Sequence, residues 1–333
     1  MVIIMKAVQI GSAGHAFYAY KAAAAYGIDI AAIACGSAGV AEEGTAAAQK
    51  QLQNSGFTAK LYEDWRVMLD TEKPDVAIIN PQFWETAACA IYAMERGIHV
   101  FCEKPVACSL DELARVEEAY RRSGVKFAAM FGMRMDPWFL AAKKAVENGR
   151  IGKIRMMDSR KSYKLGVRPG FYKSRKTYCG ILPWVGIHAI DWMQWLSGET
   201  YTNVHAYHSC LENGGNGEMD ITSSAQFMMT NGVIATLTAD MFRPSSAATH
   251  GDDRVRLVGT KGILEITDSQ VSLLSDAEGG KTLLPLPQKG DIFADFLELI
   301  LHGRENDNTA EDAFEVTKWA LLAHADAEAA DGK

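Results

Sequence analysis

Between Lys6 and Phe131, short and mostly apolar runs alternate with longer segments of helical periodicity, and nothing else in the chain limits its fold as much. Strands of this kind need cover on both faces, which intervening helices supply in a doubly wound parallel sheet. Expected strands are Lys6 to Ile10, Ile28 to Ala34, Ala59 to Tyr62, Val76 to Ile79, His99 to Cys102 and Phe127 to Phe131. Helices are expected near His15 to Tyr26, Gly39 to Asn54, Trp65 to Asp70, Trp84 to Arg96 and Leu110 to Ser123. Ser109 followed by Glu112 is a capping-box signature for the last of these. Together they make one complete nucleotide-binding domain.

After Phe131 the pattern changes. A helix near Pro137 to Asn148 is followed by a strand at Ile154 to Ser159, a glycine- and cation-rich stretch, and a helix from about Ile187 to Leu196. From Val204 onward alternating runs dominate, including Ser224 to Met229, Val233 to Ala239, Arg254 to Val258 and Ile263 to Thr267, as expected for a largely antiparallel sheet. Asn231-Gly232 is a tight hairpin signal. Helices at about Ile292 to Leu301 and Ala310 to Glu328 close the chain, with Phe293, Phe296, Phe314 and Trp319 as core residues. At 333 residues the chain exceeds one ordinary core, so two domains are expected, residues 1–128 and 129–333.

A formal net charge of -7 argues against nucleic acid as a partner, because such a domain needs a basic footprint. The six cysteines lack CxxC spacing and the first residues lack a signal-peptide core, so a reduced, cytoplasmic protein is expected. No apolar stretch approaches the roughly 20 residues that cross a bilayer, so no membrane partner is expected.

Two loops point to a ligand at the carboxyl edge of the expected parallel sheet. Gly11-Ser12-Ala13-Gly14-His15-Ala16 follows the first strand and opens the first helix, where backbone amides and the helix dipole receive a pyrophosphate. Against the GxGxxG pattern only Gly11 is in place, with Ala13 and Ala16 at the other positions and Gly14 displaced by one. Where a ribose-binding acid would end the second strand, the chain has Cys35-Gly36-Ser37, which leaves NAD and NADP both open with a lean to NAD. The second loop is Glu103-Lys104-Pro105, a carboxylate and an ammonium at the exit of a buried strand. Its proline turns Lys104 out of the helical region towards the crevice.

Taken with the strand-helix order, Glu103-Lys104-Pro105 resembles the Gfo/Idh/MocA family, named for glucose-fructose oxidoreductase and inositol dehydrogenase. Asn80-Pro81-Gln82 is similar to its Thr-Pro-Asn element, Gly97-Ile98-His99-Val100 to Gly-Lys-His-Val, and Met133-Arg134-Met135-Asp136-Pro137 to the Arg-Phe-x-Pro step into a second domain. Gly149 to Ile154, Gly180 to Asp191 and Gly259-Thr260-Lys261-Gly262 resemble later family elements in the right order. The resemblance implies an α/β chain, an N-terminal Rossmann domain joined to a C-terminal α+β domain with a large, mostly antiparallel open sheet. It further implies a bound NAD, or NADP, a carbohydrate-like substrate oxidised at a secondary hydroxyl, and association as a homodimer or homotetramer. It sets Asn80, Pro81, Trp84, Glu103, Lys104 and Arg134 with the phosphate loop at the cofactor, and Lys104 and His188 at the reacting carbinol. The family's usual aspartate is absent, because Trp184 stands in its place, and the histidine that often follows Thr-Pro-Asn is replaced by Phe83-Trp84-Glu85-Thr86.

Oxidising a secondary alcohol needs a base and a donor converging on one oxygen. His188, whose side-chain type titrates near neutrality, is assigned as base or proton relay, and Lys104 as donor to the carbinol oxygen, with the roles exchangeable. Asp191 is read either as a substrate hydroxyl contact or as structural, and Trp184 either as a stacking wall for a sugar ring or as core. The basic stretch Arg160 to Tyr178, with Tyr163 and Arg168, reads as a lid or pocket edge for a polyhydroxylated or anionic substrate, or as a solvated loop or subunit contact. His205, His208 and Cys210 do not read as a metal site, since a strand turns His205 away from the other two, and no metal is expected. Rival functions are a glycosidase that retains NAD and works by oxidation and elimination, and a non-catalytic dinucleotide or sugar sensor.

Overall fold

The computed structural model describes residues 5–36 and 41–330. The chain divides into two compact units, Met1–Gly132 with Asp291–Thr317, and Met133–Gly290 with Lys318–Lys333.

The first unit is built on six parallel strands, β1 (Lys6–Ile10), β2 (Asp29–Ala34), β3 (Lys60–Tyr62), β4 (Val76–Ile79), β5 (His99–Cys102) and β6 (Phe127–Ala129), in the order β3-β2-β1-β4-β5-β6. Helices α1 (Tyr20–Ala25), α2 (Ala41–Asn54), α3 (Trp65–Glu72), α4 (Thr86–Met94) and α5 (Leu110–Ser123) connect them. All four residues of β4 are fully buried, which is what a contiguous apolar run achieves in a sheet covered on both faces. The Ser109 hydroxyl accepts from the Glu112 amide at 3.2 Å, and the Glu112 carboxylate accepts from the Cys108 amide at 3.0 Å, so α5 starts where its capping residues place it. The first helix differs from expectation. Its opening is a 3-10 turn, Ala16–Tyr18, and α1 proper has only six residues, with the His15 amide just before it held by Glu103.

The second unit carries an eight-stranded sheet in the order β14-β13-β12-β11-β7-β10-β9-β8. Its strands are β7 (Ile154–Tyr163), β8 (Tyr201–Ser209), β9 (Thr222–Met229), β10 (Ile234–Asp240), β11 (Gly251–Gly259), β12 (Gly262–Thr267), β13 (Gln270–Ser275) and β14 (Gly280–Leu283). Pairing is antiparallel throughout except between β7 and β10. Asn231 and Gly232 both take positive φ, 55° and 68°, as the turn between β9 and β10 requires. The basic stretch is not all loop: Arg160 to Tyr163 continue β7, and the rest includes a 3-10 turn at Gly170–Lys173 and the short α7 (Arg175–Tyr178). Helices α6 (Pro137–Glu147) and α8 (Ile187–Ser197) complete this unit's middle.

The chain then returns to the first unit with α9 (Ile292–His302) and the start of α10 (Ala310–Ala330). The reason is aromatic packing: Phe293 and Phe296 lie 4.9 and 5.7 Å from Phe101, and Phe314 lies 5.1 Å from Phe127. Cys35, Cys89, Cys102 and Cys210 are free thiols. No helix among the described residues is long and apolar enough to cross a membrane.

Candidate active site

Strand register brings the first unit's candidate residues to one level. Ile10 pairs with Ala34 on one side and Ile79 on the other, and Ile79 pairs with Cys102. The next residue of each strand, Cys35, Gly11, Asn80 and Glu103, therefore emerges at the same carboxyl edge. Strand order reverses between β1 and β4, the switch point where open α/β sheets hold ligands.

Gly11 has φ 72°, and a Cβ there would lie 2.4 Å from the Asn80 carbonyl oxygen. That carbonyl accepts from the Ala13 amide at 2.8 Å, so the loop is laid tightly over β4. The displaced Gly14 has a clear purpose, because a Cβ at that position would fall 2.4 Å from Glu103 Oε2. Glu103 uses the space: its Oε2 accepts from the His15 amide at 2.9 Å, and His15 Nδ1 lies 3.0 Å away. Lys104, 1% exposed, holds its Nζ 3.9 Å from Glu103 Oε1, and its peptide bond to Pro105 is cis. Asn80 is fully buried with its Oδ1 lacking a hydrogen-bond partner. A glycine cradle and an orphaned amide oxygen at the switch point fit a dinucleotide. Ser12 lines the same loop, Pro81 follows Asn80, and Trp84 sits half-buried in the turn Phe83–Glu85.

Burial alone would raise the Glu103 carboxyl, but the His15 imidazole and its hydrogen bond, with the Lys104 ammonium, outweigh it and hold the group below its ordinary 4.5. The unfolded chain then binds more protons than the native one just below that value. The stabilisation is complete above about 4.5 and is lost as pH falls through the lower folded value. Glu103→Gln is accordingly expected to flatten the acid limb of stability, measured by urea unfolding at stepped pH. Parallel curves for the two proteins would contradict the pairing.

Sequence reasoning missed a carboxylate at the end of β2. A Cβ on Gly36 would lie 2.4 Å from Gln82 Oε1 and 3.3 Å from Glu85 Oε2, an oxygen that is buried without a hydrogen-bond partner. The acid comes from the turn after β4 rather than from β2 itself, and no local motif announces that. Ser37 lies outside the described residues.

In the second unit, Tyr163, Arg168 and Trp184 come together. The Trp184 ring is 6.3 Å from Tyr163 and 5.0 Å from Tyr172, and the Arg168 guanidinium lies 4.9 Å over it. Trp184 occupies a π-helical turn, Leu182–Gly186, that runs directly into α8. Such turns are frequent at functional sites. His188, on the first turn of α8, is buried. Two further residues adjoin the cluster: His250, which no sequence signal marks, and Lys161, which belongs to the basic stretch read as a lid or pocket edge. The His250 ring lies 4.7 Å from Tyr163 at a tilt of 35°, brought there because β11 pairs with β7, and Lys161 has its ammonium 4.8 Å over the Tyr163 ring, paired with Asp253. Burial would lower Lys161, but Tyr163 and Asp253 outweigh it and raise the group.

Arg134 and Asp191 form a buried pair, with Nε and Nη2 at 3.0 and 2.5 Å from Asp191 Oδ1. The structural reading of Asp191 thus has a partner, and Arg134 directs its guanidinium to that carboxylate.

Residues 9–131 match the family described as an oxidoreductase family with an NAD-binding Rossmann fold, and residues 139–265 match the GFO/IDH/MocA C-terminal domain. Among curated proteins, the oxidoreductase YrbE of Bacillus subtilis, uncharacterized in activity, is 34% identical over 60% of this chain and 57% of its own. Inositol 2-dehydrogenase of Salmonella typhimurium is 30% identical over 48% of this chain and 46% of its own. The chain thus spans about half the length of the curated relatives it matches. Among solved structures, that of a proposed oxidoreductase from Thermotoga maritima superposes with a TM-score of 0.92 at 42% identity, covering 97% of this chain and 98% of that one.

Proposed function

The chain belongs to the Gfo/Idh/MocA family of oxidoreductases, and from that premise we propose that it is a nicotinamide-dependent dehydrogenase interconverting a secondary hydroxyl and a ketone on a sugar, sugar acid or cyclitol. The observation that carries this reading is the common level of Gly11, Asn80 and Glu103 at the switch point, with Lys104 next in the chain. In this reading residues 1–128 hold the cofactor, while residues 129–333 hold the substrate and the surface for association as a homodimer or homotetramer. Gly11 to His15 cradle the pyrophosphate, and Asn80, Pro81 and Trp84 border the nicotinamide. When bound, that ring supplies the hydride acceptor or donor. Lys104 donates to the carbinol oxygen, His188 takes or relays its proton, and Tyr163, Arg168 and Trp184 form the wall against which a sugar ring stacks.

Glu85 favours NAD, because a carboxylate beside Gly36, one oxygen of which is buried, opposes a 2'-phosphate and accepts from a 2'-hydroxyl. NADP is expected to bind more weakly than NAD, and Glu85→Gln to narrow the gap, both read by quenching of protein fluorescence. An unchanged ratio would remove Glu85 from the ribose site. The reading as a whole is tested by identifying the dinucleotide that copurifies and screening sugars, sugar acids and cyclitols for change at the nicotinamide absorbance band. Dinucleotide binding without any absorbance change would overturn it in favour of a sensor, and glycoside cleavage without net NADH in favour of a retained-cofactor glycosidase.

A further inference from the structure

Apart from the residues discussed so far, the second unit contains a cluster that those roles do not use. His208 lies on β8, Asp220 just before β9, and His324 and Glu328 one turn apart on α10. Alternation along β8 turns His208 inward and His205 outward, so the histidine that faces the cluster is the one that the strand buries. His208 Nδ1 is 3.2 Å from Asp220 Oδ2, His208 Nε2 is 3.4 Å from Glu328 Oε1, and His324 Nε2 is 3.6 Å from the same oxygen. One ligand atom from each of His208, Asp220 and His324 falls within 4.8 Å of the other two. Asp220 is fully buried, yet its Oδ1 has no hydrogen-bond partner, and neither has His324 Nδ1. Two orphaned donor atoms of ligand type in one cluster are hard to explain as a finished hydrogen-bond network.

We propose that His208, Asp220 and His324 form a binding site for a divalent transition ion of the zinc class. Two imidazoles and one carboxylate suit such an ion better than calcium or magnesium, which take oxygen ligands. A small inward movement brings three ligand atoms to the roughly 2.0–2.2 Å that zinc requires, leaving a fourth position for water or for Glu328. Glu328 now pairs with Arg175, whose Nη1 also lies 3.3 Å from His208 Nε2. The guanidinium is therefore the charge with which an incoming cation competes. The ion would tie α10 to the edge strand β8. It would also fix Asp220, whose Oδ2 accepts from the Ile181 amide at 2.9 Å, just ahead of the turn that carries Trp184.

The test uses the full chain after treatment with a chelator. Zn2+ is titrated in competition with a chromophoric chelator, and Co2+ is followed by visible absorption, since tetrahedral coordination gives intense d–d bands. One Zn2+ per chain, a rise in melting temperature and tetrahedral Co2+ bands are expected. His324→Gln and Asp220→Asn should weaken binding by more than about 100-fold, Arg175→Met should strengthen it, and His205→Ala should leave it unchanged. If Asp220→Asn does not fold, His324→Gln, at a partly exposed position, decides alone. Absence of saturable binding, or equal affinity in wild type and His324→Gln, would overturn the site.

Discussion

Replacing Lys104 by methionine is expected to lower turnover by about 100- to 10,000-fold, the range typical for losing a positioned acid-base group. Methionine keeps the length and apolar stem of lysine, so packing around a side chain that is 1% exposed should persist. The variant removes only the ammonium, held 3.9 Å from Glu103 Oε1 at the carboxyl edge of the sheet. Glu103 keeps its contacts with the His15 amide and imidazole, so the glycine loop above it stays in place and dinucleotide affinity should change little. The measurement is paired: nicotinamide absorbance against time with a substrate found by screening, and dinucleotide affinity by fluorescence. Normal affinity with wild-type turnover would remove Lys104 from the chemistry. Loss of both together would make it a cofactor ligand instead.

Most of the sheet that holds Lys104 is legible in the sequence, because a strand buried on both faces must be written as a contiguous apolar run. The strands at Lys6–Ile10, Val76–Ile79 and His99–Cys102 lie where those runs are. What cannot be read locally is anything that depends on sheet order. Gly14 looks like a misplaced member of a glycine motif until Glu103, 88 residues away from His15, is seen to occupy the space that a Cβ would take. Glu85 completes the end of a strand to which it does not belong. Lys161 meets Asp253 across 92 residues only because β7 and β11 pair in that register. Likewise the alternation of β8 shows that His208 points inward, but nothing local shows that His324 waits there. Side-chain type and periodicity are local, whereas a site is a coincidence of distant segments.

Asp191 is where this distinction has its largest consequence for stability. Its position one helical turn after His188 suits a substrate contact and a structural role equally well in the sequence. The structure adds Arg134, whose guanidinium makes two hydrogen bonds to Asp191 Oδ1 and lies 5.6 Å over the Trp195 ring, with both side chains of the pair almost fully buried. Removing one member of such a pair takes this partner from the remaining buried charge, at a cost of about 3–5 kcal/mol. Asp191→Ala is thus expected to lower the melting temperature of its unit by about 6–20 °C, taking the usual sensitivity of a unit of this size. Replacing both members by apolar residues of similar volume, Arg134→Met with Asp191→Leu, should recover most of the loss, since neither charge then remains buried. Thermal and urea unfolding of the three variants checks this directly. If Asp191 instead serves the substrate alone, Asp191→Ala will raise KM while stability moves by less than about 1 kcal/mol, within the range of ordinary surface changes. Failure of the double variant to recover would mean that the pair fixes the local fold through more than its charge balance, because the cost of an unpaired guanidinium would then no longer account for the loss.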